Sequence, residues 1–106
     1  MCADINFPPK PKTLRYGCEE YARQILIALE SSGQRELEIV RITPKRDTAR
    51  YLGPVSKAPG VEWQFHEAVL DRANGKIYDA MTGASGMLID DYKKLFAYFD
   101  DINFGF

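Results

Sequence analysis

Three side chains of this chain can do chemistry together: Cys18, His66 and Asp79. Cys18 follows a glycine and opens the one strongly helical segment. His66, the only histidine, sits on a strand-like run, and Asp79 lies on a second such run thirteen residues later. A cysteine attacks as thiolate, and unpaired N–H groups at a helix start favour that negative charge. A neutral imidazole takes a thiol's proton, while a carboxylate holds the imidazole in one tautomer and stabilises its charged form. The order is therefore nucleophile, general base and orienting group.

Each residue also has a plainer role. Cys18 shares an apolar face with Ala22, Ile25 and Leu29 and would serve as a small core residue, and Glu19 and Glu20 put negative charge beside it unless they point away. His66 follows Trp63-Gln64-Phe65, an aromatic stretch in which a histidine is commonly structural. Asp79 would serve as a strand-end or turn carboxylate. The combination carries the catalytic reading, because each residue supplies what the next one lacks.

The elements that must position these groups follow from pattern. Residues 1–16 hold Pro8, Pro9 and Pro11 between lysines and read as an extended, proline-rich arm. From Cys18 to Ser31, Cys18, Ala22, Ile25 and Leu29 recur at helical spacing, with Glu19 and Glu20 suited to the first turn and Gly33 to the stop. Glu36 to Thr43 reads as a strand ending at Pro44, with a slip in its alternation at Ile39-Val40 that suggests a bulge or burial on both faces. Residues 44–60 form a long loop of net charge +3.

Val61 to Asp71 and Lys76 to Ala80 predict two strands of a hairpin around Arg72-Ala73-Asn74-Gly75. Its loop length decides the chemistry. A two-residue turn at Asn74-Gly75 sets Leu70 opposite Asp79 and leaves His66 four positions away, on the order of 13 Å. A four-residue loop, Arg72 to Gly75, sets Ala68 opposite Asp79 and makes His66 its same-face diagonal neighbour at about 7–8 Å by backbone. The catalytic reading requires the longer loop or a bulge. After a second loop, Met81 to Met87, a helix is expected from about Asp90 to Phe99, with Asp90 as N-cap and Tyr92, Leu95, Phe96 and Phe99 on one face. Residues 100–106 form a tail that folds back on the core or makes a terminal edge strand.

Composition bounds the rest. At 106 residues and 45% hydrophobic the chain suits one domain with a core, 1–106, and a net charge of −1 gives no field for nucleic acid. No stretch approaches the ~20 apolar residues of a membrane span, and the start lacks a signal-peptide pattern, so a cytoplasmic protein without membrane association is expected. Two cysteines make no disulfide framework, and a Cys2–Cys18 bridge is disfavoured in a reducing compartment. One His and two Cys sixteen residues apart give no zinc site, and no metal or cofactor is expected.

Several pieces together resemble one family. They are Gly17-Cys18 entering Glu19-Glu20-Tyr21-Ala22, the strand Leu37-Glu38-Ile39-Val40-Arg41-Ile42, the run Phe65-His66-Glu67-Ala68-Val69-Leu70, Gly75-Lys76-Ile77-Tyr78-Asp79 followed by Met81-Thr82-Gly83, and Ile89-Asp90-Asp91-Tyr92. Over roughly residues 16–99 the chain is similar to a minimal papain-fold domain, most closely the papain-fold toxin 2 type of bacterial polymorphic toxins. The resemblance implies an α+β fold with a papain-like core at 17–99: an N-terminal central helix on a small antiparallel sheet, and a further C-terminal helix. It implies Cys18 as nucleophile, His66 as general base and Asp79 as orienting residue of a cysteine hydrolase or acyltransferase, a protease, deamidase or related enzyme. A protein substrate and, for a toxin, an immunity protein are the implied partners, with secretion or delivery only as part of a larger toxin.

Papain-like enzymes often carry an oxyanion-stabilising glutamine shortly before the cysteine, and residues 1–17 contain none. The Cys18 N–H plus another donor would serve, with Gln64 a candidate and Trp63 a further substrate-side residue. The rival class is a non-catalytic binding module of the same fold that holds a protein partner with Trp63 and the basic 44–60 loop.

Overall fold

Gly17 turns into the first helix with a left-handed backbone, φ 84°, and from there the apolar spacing carries α1 through Cys18–Ser31, the span the pattern predicts. A computed structural model describes residue 8 and residues 17–45, 51–52, 55–56 and 63–106. The proline-rich arm, apart from Pro8, most of the 44–60 loop and Cys2 lie outside the described residues. The fold is α+β: α1 packs on a five-stranded antiparallel sheet, and a short second helix follows near the C-terminus. Among the described residues no helix is long and apolar enough to cross a membrane.

The strands are β1 (Leu37–Pro44), β2 (His66–Asp71), β3 (Lys76–Tyr78), β4 (Met87–Leu88) and β5 (Ile102–Asn103), in the order β4-β3-β2-β1-β5. Side chains alternate across the sheet, so each face has its own core. Ala22, Ile25 and Leu29 of α1 bury against Val69 and Tyr78, with Leu37 and Ile39 beside them. Each fully buried aliphatic contributes about 1.5–3 kcal/mol. A second core gathers Ile42, Ala68, Leu70 and Ile77 with Tyr92, Phe96, Ile102 and Phe104. The slip at Ile39-Val40 is burial on both faces, not a bulge. Ile39 joins the α1 core and Val40 the other, while the β1–β2 register runs unbroken.

The hairpin takes the four-residue loop. Val69 pairs with Tyr78, Leu70 with Ile77 and Asp71 with Lys76, which leaves Arg72 to Gly75 as the connection. Buried Asp71 braces it by accepting hydrogen bonds from the Asn74 backbone N–H and side-chain amide. Val61 and Glu62 of the expected first strand lie outside the described residues, and over the described ones the strands are shorter than expected. Trp63 joins an isolated bridge to Leu52 and β2 begins only at His66, while β3 stops at Tyr78 because the Asp79 side chain captures the following backbone in a turn.

The C-terminal helix differs more. It runs only Ile89–Lys93 as α2, and its N-cap is Leu88, not Asp90, because β4 leads directly into it and leaves Asp90 inside the first turn. Phe96, expected in the same helix, bridges Val55 instead, and Phe99 is exposed at the start of a 3-10 turn, Phe99–Asp101. The chain then returns as edge strand β5 beside β1, and Phe104 is buried in the core.

The link between β3 and β4 depends on two glycines of similar backbone that differ in surroundings. Gly86 has φ +68°, and a Cβ there would lie 2.9 Å from the Tyr78 ring, whereas Gly83 at φ +70° has open space. Gly83→Ala should therefore cost only the left-handed strain, about 1 kcal/mol. Gly86→Ala should cost about 2–4 kcal/mol, because overpacking adds to that strain. Thermal denaturation of the two variants side by side checks this, and equal losses would remove the close approach as a constraint.

Candidate functional site

Asp79 is the point where the site is assembled. It is fully enclosed, at 2% exposure, and each carboxylate oxygen has its own partners. Oδ1 accepts the backbone N–H groups of Met81 at 2.7 Å and Thr82 at 3.0 Å. The Thr82 hydroxyl accepts in return from the Asp79 N–H at 3.0 Å, so Asp-x-x-Thr closes a reciprocal turn. Oδ2 lies 2.9 Å from Nε2 of His66 and accepts the Tyr92 hydroxyl at 2.5 Å.

His66 meets it from the neighbouring strand as the four-residue loop requires. With Val69 opposite Tyr78, the continued register sets Ala68 across from Asp79, and His66 is two residues before Ala68 on the same face. The imidazole is buried, and the Trp63 ring stacks on it at 4.2 Å between centroids and 11° between planes. Nε2 is taken by Asp79, while the buried Nδ1 has no hydrogen-bond partner.

Cys18 is a half-buried free thiol in the first turn of α1. Glu19 and Glu20 beside it point to solvent. The thiol acts on the His66 ring strongly enough to help raise its pKa, yet Nδ1 makes no hydrogen bond of good geometry. A thiol close to the ring that makes no hydrogen bond to Nδ1 satisfies both. Near the same helix start, Arg41 of β1 pairs with Glu67 at 2.8 Å and lies over the Phe65 ring.

The charges are coupled. Burial alone would push the His66 pKa down, but the Asp79 hydrogen bond, the Cys18 thiol and the Asp79 charge outweigh it and raise it to about 9. Burial alone would push Asp79 up, but the hydrogen bond and charge of His66, the Tyr92 hydroxyl and the Met81 N–H hold it below the usual carboxylate range. Burial, and next the Asp79 charge, keep the Tyr92 proton on well past the ordinary phenol range. At neutral pH the arrangement therefore favours an imidazolium on a carboxylate that does not itself take the proton.

Of the residues the sequence singled out, the structure gathers Cys18, His66 and Asp79 in one place, with Trp63 against the imidazole. Gln64 is exposed, between Trp63 and the start of β2. Tyr92 and Thr82 complete the site without having been singled out for it. Tyr92 was legible only as part of an apolar helix face, although a tyrosine hydroxyl carried into a core needs a partner there. Asp79-Ala80-Met81-Thr82 has the spacing of a side-chain-stabilised turn, which is the signal for Thr82.

The shifts set the sign of the pH dependence. Because the folded His66 pKa is raised from 6.5 to about 9, its contribution to stability is complete below 6.5 and lost as pH rises through about 9. Because Asp79 is lowered, its contribution is present above the ordinary carboxylate range and lost as pH falls through its depressed folded value. Thermal unfolding followed from pH 6 to 10 should show the parent losing on the order of 1–3 kcal/mol. Asp79→Asn should be nearly flat over the same interval, and parallel curves would break the link between the pair and stability.

Compared with protein-family models, with curated proteins and with solved structures, the chain matches none of them, so the chemistry of Cys18, His66 and Asp79 is read from their own geometry.

Proposed function

We propose that this protein is a papain-like cysteine hydrolase or acyltransferase acting on a protein substrate, with Cys18 as nucleophile, His66 as proton carrier and Asp79 as orienting group. The observation that carries the reading is the buried 2.9 Å contact between His66 Nε2 and Asp79 Oδ2 beside the thiol at the start of α1. A purely structural histidine needs a hydrogen-bond partner, but it does not need a thiol close enough to act on its ring. The α+β layout, with one helix carrying the cysteine, the sheet carrying His66 and the turn after β3 carrying Asp79, fits the papain-like resemblance.

The proton states give the order of steps. With His66 charged, the Cys18 thiolate attacks the acyl carbon and the electron pair of its C=O moves to oxygen. The N–H of Cys18, in the first helical turn and so without an intrahelical acceptor, is suited to stabilise that oxyanion. Collapse to the thioester expels the amine as His66 gives it the Nδ1 proton. Neutral His66 then takes a proton from water, or from an acceptor amine, as that group attacks the thioester and releases the thiolate. Throughout, Asp79 holds Nε2 and remains ionised. A module that binds its partner through Trp63 draws less support, because that ring is buried against His66.

Thiol reactivity tests the reading without a known substrate. A small alkylating probe should modify Cys18 in the parent near neutral pH at least about tenfold faster than in His66→Ala, since the imidazolium is what favours the thiolate there. Superimposable rate–pH profiles would end the enzyme reading.

Asp79→Asn separates orientation from folding better than Asp79→Ala, which would empty a buried site that four donors converge on. The Asn variant should stay folded by circular dichroism while its thiol reactivity near neutral pH falls roughly tenfold or more, because His66 loses its charge partner. A folded variant with parental reactivity would remove Asp79 from the site.

A further inference from the structure

Tyr92 is buried at 0% exposure on α2, with its ring edge-on to Phe96. A hydroxyl in such a core is satisfied by any acceptor, and backbone carbonyls are the commonest ones. This hydroxyl instead donates to Asp79 Oδ2, the same oxygen that takes His66 Nε2. The other oxygen is already committed to the Met81 and Thr82 N–H groups. The carboxylate is thus gripped on both sides, and its plane and the oxygen facing His66 are fixed.

Sharing one oxygen has an electrostatic consequence as well. A carboxylate oxygen that accepts two donors offers each of them less negative charge than it would offer one alone. Tyr92 therefore weakens the hold of Asp79 on the His66 proton while keeping the direction of that hold. The ionisable groups around the pair come from each packed element: Cys18 and Tyr21 from α1, Tyr92 from α2, and Arg41 of β1 nearer the thiol. Of these, Tyr92 is the one that donates to the bridging oxygen.

We propose that Tyr92 is a positioning residue of the candidate triad, whose hydroxyl fixes the Asp79 oxygen that serves His66 and limits how tightly that carboxylate holds the imidazolium. This rests on the reading of Cys18, His66 and Asp79 as a triad. Its role is to leave His66 acidic enough to protonate a leaving group while the imidazole stays aimed at the thiol.

The chain's single histidine makes the test direct, because the imidazole C–H resonances in a proton NMR titration can come only from His66. Tyr92→Phe removes the second donor, and the His66 midpoint should rise by about half a pH unit or more. Placing 3-fluorotyrosine at position 92 keeps volume and hydroxyl but makes a stronger donor, and the midpoint should fall. A purely structural tyrosine gives no such pair of opposite shifts. An unchanged midpoint in both proteins overturns the proposal, and if Tyr92→Phe does not fold, the fluorotyrosine protein decides alone. Cys18→Ala separates this outcome from failure of the triad reading. If it lowers the midpoint while the changes at position 92 do nothing, the triad stands and Tyr92 is idle. If it does nothing while the changes at position 92 act, Tyr92 tunes His66 and the thiol is not part of the constellation.

Discussion

An ionised carboxylate sealed inside an apolar core is the constraint on which the rest of this structure depends. Leaving such a charge unpaired is so costly that the surrounding chain must supply donors or the residue must neutralise. Here Asp79 receives donors from three separate places: His66 at the start of β2, the turn after β3, and Tyr92 on α2. The same carboxylate ends β3, holds the link toward β4 and fastens the C-terminal helix to the sheet. Turn residue and orienting group looked like competing roles for Asp79; Oδ1 makes the turn, and Oδ2, on His66, sits where the proposed orienting role needs it.

That arrangement is reached through a hairpin whose loop length is critical. Because β pairing is read in steps of about 3.3 Å per residue, a two-residue change in the connection moves His66 along the ladder away from Asp79. Asp71 and Asn74 lock the four-residue form, so a pair of side chains outside the site sets its register. By strand alternation His66 shares its face with Ala68 and Leu70, opposite the face where α1 packs on Val69. The thiol acts on the ring from the first turn of the helix. The left-handed Gly17 fixes where that turn begins.

Legibility in the sequence followed how local each determinant is. The span of α1 was set by its own apolar spacing, and β1 and the hairpin by runs of strand-forming residues around Asn74-Gly75. His66 and Asp79 were legible because the hairpin relates them by counting. Tyr92 was not, because its bond to Asp79 joins a helix to a strand end, and nothing in the local pattern tells an apolar tyrosine from one that grips a carboxylate. The end of α2 at Lys93 was hidden for a similar reason. Leu95, Phe96 and Phe99 keep helical spacing, but Phe96 finds a better place in the core against Phe104 and a bridge to Val55, and those partners are distant in sequence.

The proton economy of the site has a consequence for the kind of bond it suits. The Trp63 face against the imidazole favours the charged ring, as a π surface does for any cation placed over it, and Asp79 favours it from the edge. A histidine held in this state acts as an acid before it acts as a base. A thiolate leaving group needs little help and an alkoxide gains from a proton, whereas an amine cannot leave without one. The proposed triad is therefore better matched to amide bonds, of the backbone or of glutamine and asparagine side chains, than to esters. Within amide chemistry, the proposed triad would serve hydrolysis and transfer equally, because the second half of the cycle would differ only in whether water or an amine reached the thioester.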